Sequence, residues 1–429
     1  MRSFLKSKES KNAGWIIGER VIQMLLSLIV SVLSARYLGP NNYGALSYSA
    51  SLVAFFSSIA SLGMEGVIIK KMIAEPQHEG EYLGGCMGLR LMSALASSAT
   101  IVLIMGVLNP GDQTKMLLAF LQSLQLVFQS VNILDYWFQR YLQSKYISVA
   151  KMAASIIVMG YKVVLMLTSR SVVWFAFANS LSTLIIAATL YVFYRRSKGP
   201  SLKVDLSYGR LVLKDSYHYI LSGLMVSIYG QMDKIMIGKM MTDTDVGLYS
   251  TAAAICSMWI FVPQAIIQSF RPSIMEARQS GNLQLYRKKL TNLYSVILWL
   301  CVFVSICVCV AAPLAVRILY GEAYMGAIGA LRIIIWMETF SMLGTARNIW
   351  LLCEQKDRYA KYFLSIGAAA NLIMNAVMIP GMGIEGAAVA TLATQVITSL
   401  LAPLLFRETR VHTRIIWDAF LLKGYFEKR

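Results

Sequence analysis

Apolar runs of about 20 residues recur along the whole chain, and each is long enough to cross a hydrocarbon core of about 30 Å. A backbone in lipid must satisfy its own hydrogen bonds, and these runs lack the alternation of barrel strands. The runs therefore predict an all-α integral membrane protein, in agreement with a composition of 57% apolar and 14% charged residues. The twelve predicted spans, numbered in chain order, lie at about 13–35, 45–68, 84–108, 114–137, 147–168, 172–194, 216–238, 246–270, 290–315, 326–352, 361–380 and 384–406.

Lys and Arg are distributed unevenly between alternate loops. Of the 40 basic residues, 29 lie in the termini and the loops on one side, and 5 lie in the loops on the other. This positive-inside bias predicts that both termini are cytoplasmic. The net charge of +18 then reflects topology and contact with anionic lipids, so it does not indicate a nucleic-acid partner.

Residues 1–12 are polar and a long apolar run follows, so no cleavable signal peptide is expected.

The longest connection outside the predicted spans, about residues 195–215, divides the chain nearly in half. We expect an N-terminal six-helix lobe at 1–200, a cytoplasmic linker at 201–215 and a C-terminal six-helix lobe at 216–407. A basic cytoplasmic tail follows at 408–429, and residues 414–426, in which apolar side chains lie among charged ones, are typical of an interfacial helix. A flexible basic tail is the alternative.

The two halves repeat at an offset of 203 residues. Arg36 corresponds to Lys239 and Ser47 to Ser250, and in both halves a short turn-rich loop leads into the next helix through a glycine. Because each half contains an even number of spans, the second half enters the membrane in the same orientation as the first. The repeat is therefore parallel, as in many secondary transporters.

Polar residues recur at helical spacing on spans 1, 2, 7 and 8. The stripes include Gln23, Ser27, Ser31, Ser58, Ser61, Glu65, Ser227, Gln231, Ser257, Gln264 and Gln268. Serine alone also suits close helix packing. Charged and amide side chains are costly to bury without water, so stripes that include them predict a water-filled cavity between the halves.

Six basic residues fall within the spans or near their ends, namely Arg20, Arg90, Lys162, Lys234, Arg332 and Arg347. A cation at a helix centre costs roughly 2.5–3.5 kcal/mol unless it faces protein, water or a counter-charge. Side chains near helix ends can reach the interface, which explains Arg90, Arg332 and Arg347. That explanation fits Lys162 and Lys234 less well.

Four acidic residues are candidates for ion coupling: Glu65, Asp135, Asp233 and Glu338. Pairing within the fold is the alternative for each. The six cysteines lie in or beside apolar spans without metal-ligand spacing, and the three histidines are scattered. No metal or other cofactor is expected.

Three segments carry a family resemblance that extends over essentially the whole chain. Ser34 to Gly44, SARYLGPNNYG, resembles the junction of the first two helices in bacterial polysaccharide flippases. DKIMIG from Asp233, followed by VGLYS from Val246, is similar to the second-half counterpart. Asn371, Asn375 and GAAVAT from Gly386 resemble the segment of helices 11 and 12. The family is the Wzx-type O-antigen branch of the multidrug/oligosaccharidyl-lipid/polysaccharide exporter superfamily.

This resemblance implies a transporter, not an enzyme, with a MATE-like fold and a central cavity lined by spans 1, 2, 7 and 8. It implies that an undecaprenyl-pyrophosphate-linked oligosaccharide moves from the cytoplasmic to the periplasmic face of the bacterial inner membrane by alternating access. Membrane lipids, an O-antigen polymerase and a chain-length regulator are the other implied partners. An anionic pyrophosphate needs cationic side chains. The candidates in this sequence are Arg20, Lys70, Lys71, Arg90, Lys234 and Arg271.

Two alternatives stay open at this point. An ion-coupled drug exporter of the same superfamily shares the predicted architecture, and only a transport assay separates it from a flippase. A polysaccharide polymerase or ligase is expected to carry a large external loop. The external loops here are roughly 5–11 residues long, which leaves little room for such a site.

Overall fold

A computed structural model describes residues 8–421 of the 429-residue chain. In the first helix the side chains before Gln23, except Trp15, and the side chain of Leu25 lie outside this description. The α-helices, in chain order α1 to α16, are Lys8–Ala60, Glu65–Ala74, Glu79–Leu108, Gln113–Gln129, Leu134–Arg140, Ser144–Leu167, Val172–Arg196, Leu206–Met240, Asp243–Ser257, Phe261–Gln279, Leu283–Leu319, Ile328–Ile334, Met337–Cys353, Arg358–Val396, Ala402–Leu405 and Arg410–Phe420. Short 3₁₀ turns lie at Pro76–His78, Ser130–Ile133 and Glu322–Ala327, and a π-helical turn lies at Ile397–Leu401.

Two of the longest helices are broken at a glycine. Gly39 in α1 has φ 71° and ψ 168°, and Gly383 in α14 has φ 61° and ψ −140°. Side chains strongly disfavour these positive-φ conformations, so glycine is the residue that permits each break. An unbroken helix of 53 residues would be roughly 80 Å long, more than twice the hydrocarbon thickness. The breaks separate predicted spans 1 and 2, and predicted spans 11 and 12.

Eight helical segments in the described part are long and apolar enough to cross a membrane, or nine if the bent pair Glu322–Ile334 and Met337–Cys353 is one span. Two of the eight, Leu26–Ala74 and Arg358–Leu405, contain the glycine breaks. The helix α8 is long enough to cross, but its many polar residues keep it out of this set. The prediction of an all-α multi-pass membrane protein is confirmed, while the count of twelve spans stays a prediction.

The chain forms two compact units, one ending at Ser227 and the other beginning at Ile228. This boundary lies inside α8, because the first half of that helix packs on the N-terminal unit. The Ser216 hydroxyl donates to the Leu62 carbonyl over 3.1 Å, and the hydroxyl oxygens of Ser58 and Ser227 are 2.5 Å apart. The predicted linker at 201–215 is accordingly helical from Leu206 onward.

Residues 200–205 lie against the first turns of α3. The backbone amide of Lys203 donates to the Gly80 carbonyl over 3.2 Å, and its ammonium pairs with Glu81 at 2.9 Å. A Cβ on Gly80 or Gly84 would overlap the backbone of this segment, so the close approach requires glycine. The segment is thus held on the N-terminal unit by backbone contact as well as by an ion pair.

The last described helix, α16, packs on α11 through one face. His412 and Ala419 are fully buried, Ser295 of α11 donates to the Ala419 carbonyl over 2.9 Å, and the Trp299 and Phe420 rings stack. Arg410, Arg414 and Trp417 are exposed on the remaining surface. The predicted interfacial segment at 414–426 extends beyond the described residues, so its lipid contact stays a prediction.

Candidate functional site

The N-terminal unit contains a cavity of about 570 Å³ between α1, α4, α6 and α7. Its volume falls in the range of roughly 300–1,000 Å³ that is usual for small-molecule sites. The polar lining residues are Gln23, Ser27, Ser31, Ser34, Tyr43, Ser47, Gln122, Ser155, Lys162, Asn179 and Ser182. Most of the lining side chains that are not polar are aliphatic, so the cavity is a hydroxyl- and amide-rich chamber inside an apolar bundle.

Helical periodicity places these side chains on one surface. Ser27, Ser31 and Ser34 follow each other at spacings of four and three on α1, and Ser155 and Lys162 are seven apart on α6. Residues at such spacings share a helix face. The predicted stripe residues of span 1 therefore meet side chains of α4, α6 and α7 around one cavity within the N-terminal unit.

Lys162 is the one charged residue among the described side chains that line this cavity. Its ammonium has no hydrogen-bond or ion-pair partner among the described residues. Two other lining groups are also unpaired: the Ser34 hydroxyl, on a side chain that is 3% exposed, and the Gln122 Oε1, on a side chain that is fully buried. The cavity thus combines one cation with free hydrogen-bonding capacity.

A second cavity of the N-terminal unit, about 520 Å³, brings together two of the predicted stripe residues. Ser61 and Glu65 line it with Tyr136 and Tyr219, and Glu65 and Tyr219 are largely exposed. An exposed carboxylate is well solvated. This cavity differs from the first in that its charged lining residue is an acid.

In the C-terminal unit the carboxylate of Asp233 is buried and accepts four hydrogen bonds. Asn371 and Asn375 donate to Oδ1 over 3.0 and 2.6 Å. Tyr249 and Thr391 donate to Oδ2 over 2.6 and 2.5 Å. All four donors are neutral, and no basic side chain pairs with Asp233 among the described residues. A carboxylate held in this way can exchange a proton or a small cation without breaking a salt bridge.

Arg347 lies in a smaller cavity of the C-terminal unit, about 210 Å³. It is 7% exposed, donates to the Thr398 carbonyl over 2.6 Å and stacks over the Phe363 ring at 4.4 Å. Thr398 belongs to the π-helical turn, whose irregular hydrogen bonding leaves a carbonyl that needs a donor. Arg347 is therefore bound within the fold instead of reaching an interface.

The predicted phosphate-binding cations lie in different environments. Arg20 falls among the side chains outside the described set. Lys70 is exposed, and Lys71 pairs with Asp215 at 3.1 Å. Arg271 is exposed and Lys234 is half-buried. Arg90 is 4% exposed, with Nε and Nη1 unpaired among the described residues, so it is buried instead of extending to the interface.

The remaining predicted stripe residues also lie in different environments. Ser58 contacts Ser227, and Gln231 is half-buried on α8. The side chains of Ser257, Gln264 and Gln268 are exposed in the C-terminal unit. The predicted cavity between the halves stays a prediction.

The four candidate acids differ in their surroundings. Glu65 is exposed, whereas Asp135 and Glu338 are buried. Glu338 is 2% exposed, and its Oε2 has no partner among the described residues. Of the four, Asp233 has the most complete set of donors.

No cluster of three or more His, Cys, Asp or Glu residues suited to a metal occurs in the described part of the chain.

Several residues of these sites could not be assigned a role from the sequence. Asn371, Asn375 and Thr391 are recognisable as family-like motif residues, and a spacing of four places the two asparagines on one helix face. Nothing in that spacing points to Asp233, which is 138 residues away from Asn371. Lys162 is detectable as a charge within an apolar span, but its neighbours come from three other helices.

Structural comparison defines the class of the protein. The fold matches the solved structure of the lipid II flippase MurJ in an inward closed conformation, with a TM-score of 0.75, 12% identity and coverage of 95% of this chain and 91% of that chain. It also matches an inward-facing multidrug resistance MATE family transporter, with a TM-score of 0.67, 14% identity and coverage of 92% and 96%. The chain is an all-α membrane protein with the fold of these transporters.

Sequence comparison identifies the family. Residues 10–276 match the family described as polysaccharide biosynthesis protein, which is more than half of the chain. A protein of Haloferax volcanii named "Probable flippase AglR" is 24% identical over 90% of this chain and 80% of its own length. The chain belongs to the polysaccharide biosynthesis protein family.

Proposed function

We propose that the protein is a flippase for a lipid-linked oligosaccharide, and that its substrate is an undecaprenyl-pyrophosphate-linked repeat unit of O-antigen or a related surface polysaccharide. Transport runs from the cytoplasmic to the periplasmic face of the bacterial inner membrane by alternating access of two lobes. The match to a named flippase over most of both chains supports this class of activity.

The observation that carries the proposal is the hydroxyl- and amide-rich cavity inside the N-terminal unit. Five described helical segments of that unit are apolar enough to cross a membrane, yet four of them, which contain residues of α1, α4, α6 and α7, line a cavity of about 570 Å³ that is rich in polar groups. A glycan cannot cross a hydrocarbon core without replacing its hydrogen bonds to water. A polar chamber supplies those bonds while a polyprenyl tail stays in the lipid.

The pyrophosphate head is captured by cations, in this proposal by Arg20, Arg271 and the pair Lys70 and Lys71 on the cytoplasmic side. Lys234, nearer the periplasm, attracts the head in the outward-facing state. Arg90 is a further candidate because two of its guanidinium nitrogens are unpaired among the described residues. Guanidinium groups suit phosphate oxygens because they donate two parallel hydrogen bonds.

Asp233 is the proposed ion-coupling residue. Its carboxylate is buried, faces only neutral donors and is available to bind a proton or a monovalent cation. The N-terminal cavity is unsuited to such an ion because its one described charge is positive. Ion exchange and glycan contact thus belong to different units in this proposal.

A deletion strain tests the activity. Loss of the protein is expected to cause lipid-linked repeat units to accumulate on the cytoplasmic face, and surface polysaccharide is expected to disappear. Liposomes that contain the purified protein are expected to move a fluorescent lipid-linked oligosaccharide across the bilayer, and protein-free liposomes are not. A drug-efflux activity in the same liposomes, without movement of the lipid-linked glycan, would favour the exporter alternative and contradict the flippase.

The cation assignment has its own test. Arg20→Ala, Lys234→Ala and Arg271→Ala are compared for surface polysaccharide display at matched protein level. We expect at least one to lower display about tenfold or more, because a charge-assisted hydrogen bond to phosphate is worth roughly 1.5–3 kcal/mol. Normal display by all three variants would show that these cations do not bind the pyrophosphate.

A further inference from the structure

We propose that the cavity of the N-terminal unit binds one acidic sugar residue of the transported glycan, with the sugar carboxylate at the ammonium of Lys162. The inference rests on the proposed function in taking the ligand to be part of a glycan. The charge, the hydrogen-bonding groups and the size of the cavity each support this ligand class.

The charge of the cavity favours a ligand with one negative group. Lys162 lies within an apolar helix bundle, and no carboxylate lines the cavity among the described residues. An unpaired ammonium inside a membrane protein is costly, and a bound anion relieves that cost. A lysine presents a single point charge with three donors, which matches one carboxylate. A pyrophosphate would bring more negative charge than one lysine can balance.

The hydrogen-bonding groups favour a sugar over a simple anion. Serine hydroxyls both donate and accept, and asparagine and glutamine side chains carry both functions, as the hydroxyls of a sugar ring require. Ser34 and Gln122 each present an unpaired polar atom although their side chains are buried. A buried polar group without a partner is destabilising, so a ligand rich in hydroxyls is stabilised here.

The size of the cavity exceeds what a small inorganic anion needs. At about 30 Å³ per water molecule, 570 Å³ corresponds to roughly nineteen waters. A chloride or an acetate at Lys162 would leave most of this volume, and the hydroxyls of α1 and α7, without contact. A pyranose ring with several hydroxyls fills more of this volume than a small anion does, so recognition extends beyond the charge in this proposal.

The test uses the purified full-length protein in nanodiscs and three probes: sodium glucuronate, glucose and sodium acetate. Glucuronate combines a sugar ring with a carboxylate, glucose lacks the charge, and acetate lacks the ring. Isothermal titration calorimetry is expected to show glucuronate binding at least tenfold more tightly than either of the others. Equal binding of glucuronate and glucose by the unmodified protein would overturn the role of Lys162. Equal binding of glucuronate and acetate would show a general anion site and overturn the sugar.

Two variants separate the site from general effects of charge. Lys162→Gln is expected to remove the preference for glucuronate over glucose, and Lys162→Arg is expected to keep it. Lys151→Gln is the matched control, because Lys151 lies on the same helix and does not line the cavity. A preference for glucuronate that survives in Lys162→Gln would contradict the proposal. The comparison of probes on the unmodified protein decides the case if Lys162→Gln does not fold.

A transport measurement distinguishes this inference from the proposed function. In liposomes, Lys162→Gln is expected to slow the movement of a lipid-linked glycan that carries a uronic acid at least fivefold more than it slows the movement of a neutral lipid-linked glycan. Glucuronate binding without movement of either lipid would contradict the flippase proposal and leave the site intact. Equal slowing of both glycans would contradict the acidic-sugar assignment alone.

Discussion

At the scale of single residues, the two units use a charge within the helix bundle in opposite ways. Lys162 lies in a cavity without a described partner, so its charge is available to a ligand. Asp233 is surrounded by four side-chain donors that satisfy both of its oxygens. Sequence pattern detects both as charges in apolar spans, because hydropathy is a local property. It cannot assign their partners, since these come from helices distant in sequence.

The Asp233 network predicts a variant that folds but loses ion dependence. In Asp233→Asn the amide retains one acceptor for Asn371 and Asn375, and its NH₂ can donate to the hydroxyls of Tyr249 and Thr391. We expect near-normal protein levels and at least a tenfold loss of the stimulation of transport by an imposed proton or Na⁺ gradient. The measurement is flipping in liposomes with and without the gradient. Asp357→Asn, at an exposed carboxylate of the same unit, is the control and is expected to keep the stimulation. Unchanged stimulation in Asp233→Asn would exclude this carboxylate from coupling.

His412 predicts a pH dependence of stability. Burial, and secondarily the charge of Arg347, hold the pKa of His412 well below its ordinary value of 6.5. The unfolded chain takes up a proton near pH 6.5 that the folded chain excludes, so the free energy of unfolding falls as the pH drops below 6.5. The expected loss is up to about 1.4 kcal/mol per pH unit.

The check is the thermal midpoint at pH 7.5 and pH 5.5 for the unmodified protein and for His412→Gln. Glutamine can hydrogen-bond to the Tyr294 hydroxyl, which lies 2.9 Å from Nε2 of His412, and it does not titrate. The variant is expected to lose less stability than the unmodified protein over this interval. An equal loss in both proteins would assign the pH dependence to other groups.

At the scale of helices, the helix is interrupted in two different ways at positions that the sequence repeat relates to each other. An offset of 203 residues takes Gly39 to Thr242. At Gly39 the chain breaks through a positive φ, whereas Thr242 begins α9 with a capping box in which its hydroxyl and the Asp245 carboxylate satisfy each other's backbone amides. The repeat predicts a break at both positions. The way in which each helix is interrupted depends on residues that differ between the two halves, namely Gly39 in the first and Thr242 in the second.

The close contact between residues 200–205 and α3 predicts that adding one methyl group at Gly84 strongly weakens this contact. In Gly84→Ala the new Cβ overlaps the carbonyl oxygen of Lys203, and backbone on both sides leaves little room to move. We expect the segment to separate from α3 and trypsin to cleave after Lys203 at least tenfold faster. Gly160→Ala is the matched control, since Gly160 is helical with open space around it. An unchanged cleavage rate in Gly84→Ala would show that the contact is not needed to hold the segment.

At the scale of the whole molecule, sequence pattern predicts the class of fold well, because span length, hydropathy and charge bias all follow from the membrane as a solvent. It places the division of the chain in a polar connection, where composition changes. The structure places the division within α8, after Ser227, because packing of the helix on α1 and α3 decides which unit it belongs to. Such contacts are long-range and leave no local signal.

Topology is the prediction at this scale. In a cysteine-free background, Gln113→Cys is expected to react with a membrane-impermeant maleimide added outside spheroplasts. Gln284→Cys is expected to react only after the membrane is opened. Both positions are exposed at the first turns of α4 and α11. The 29-to-5 charge bias predicts this orientation, and labelling in the reverse order would overturn the predicted cytoplasmic location of the termini.

Lys162 also has an electrical consequence. A charge inside a membrane protein experiences the transmembrane field, and carrying one elementary charge across the full potential is worth about 2.3 kcal/mol per 100 mV. The empty cavity presents one positive charge to that field, whereas a cavity loaded with a carboxylate presents none. Membrane voltage would therefore bias the steps made by the empty protein and leave the loaded steps unbiased at this position. At Lys162, the resting potential of the cell would then act on the return of the empty carrier, while the charge of the pyrophosphate is balanced elsewhere in the protein.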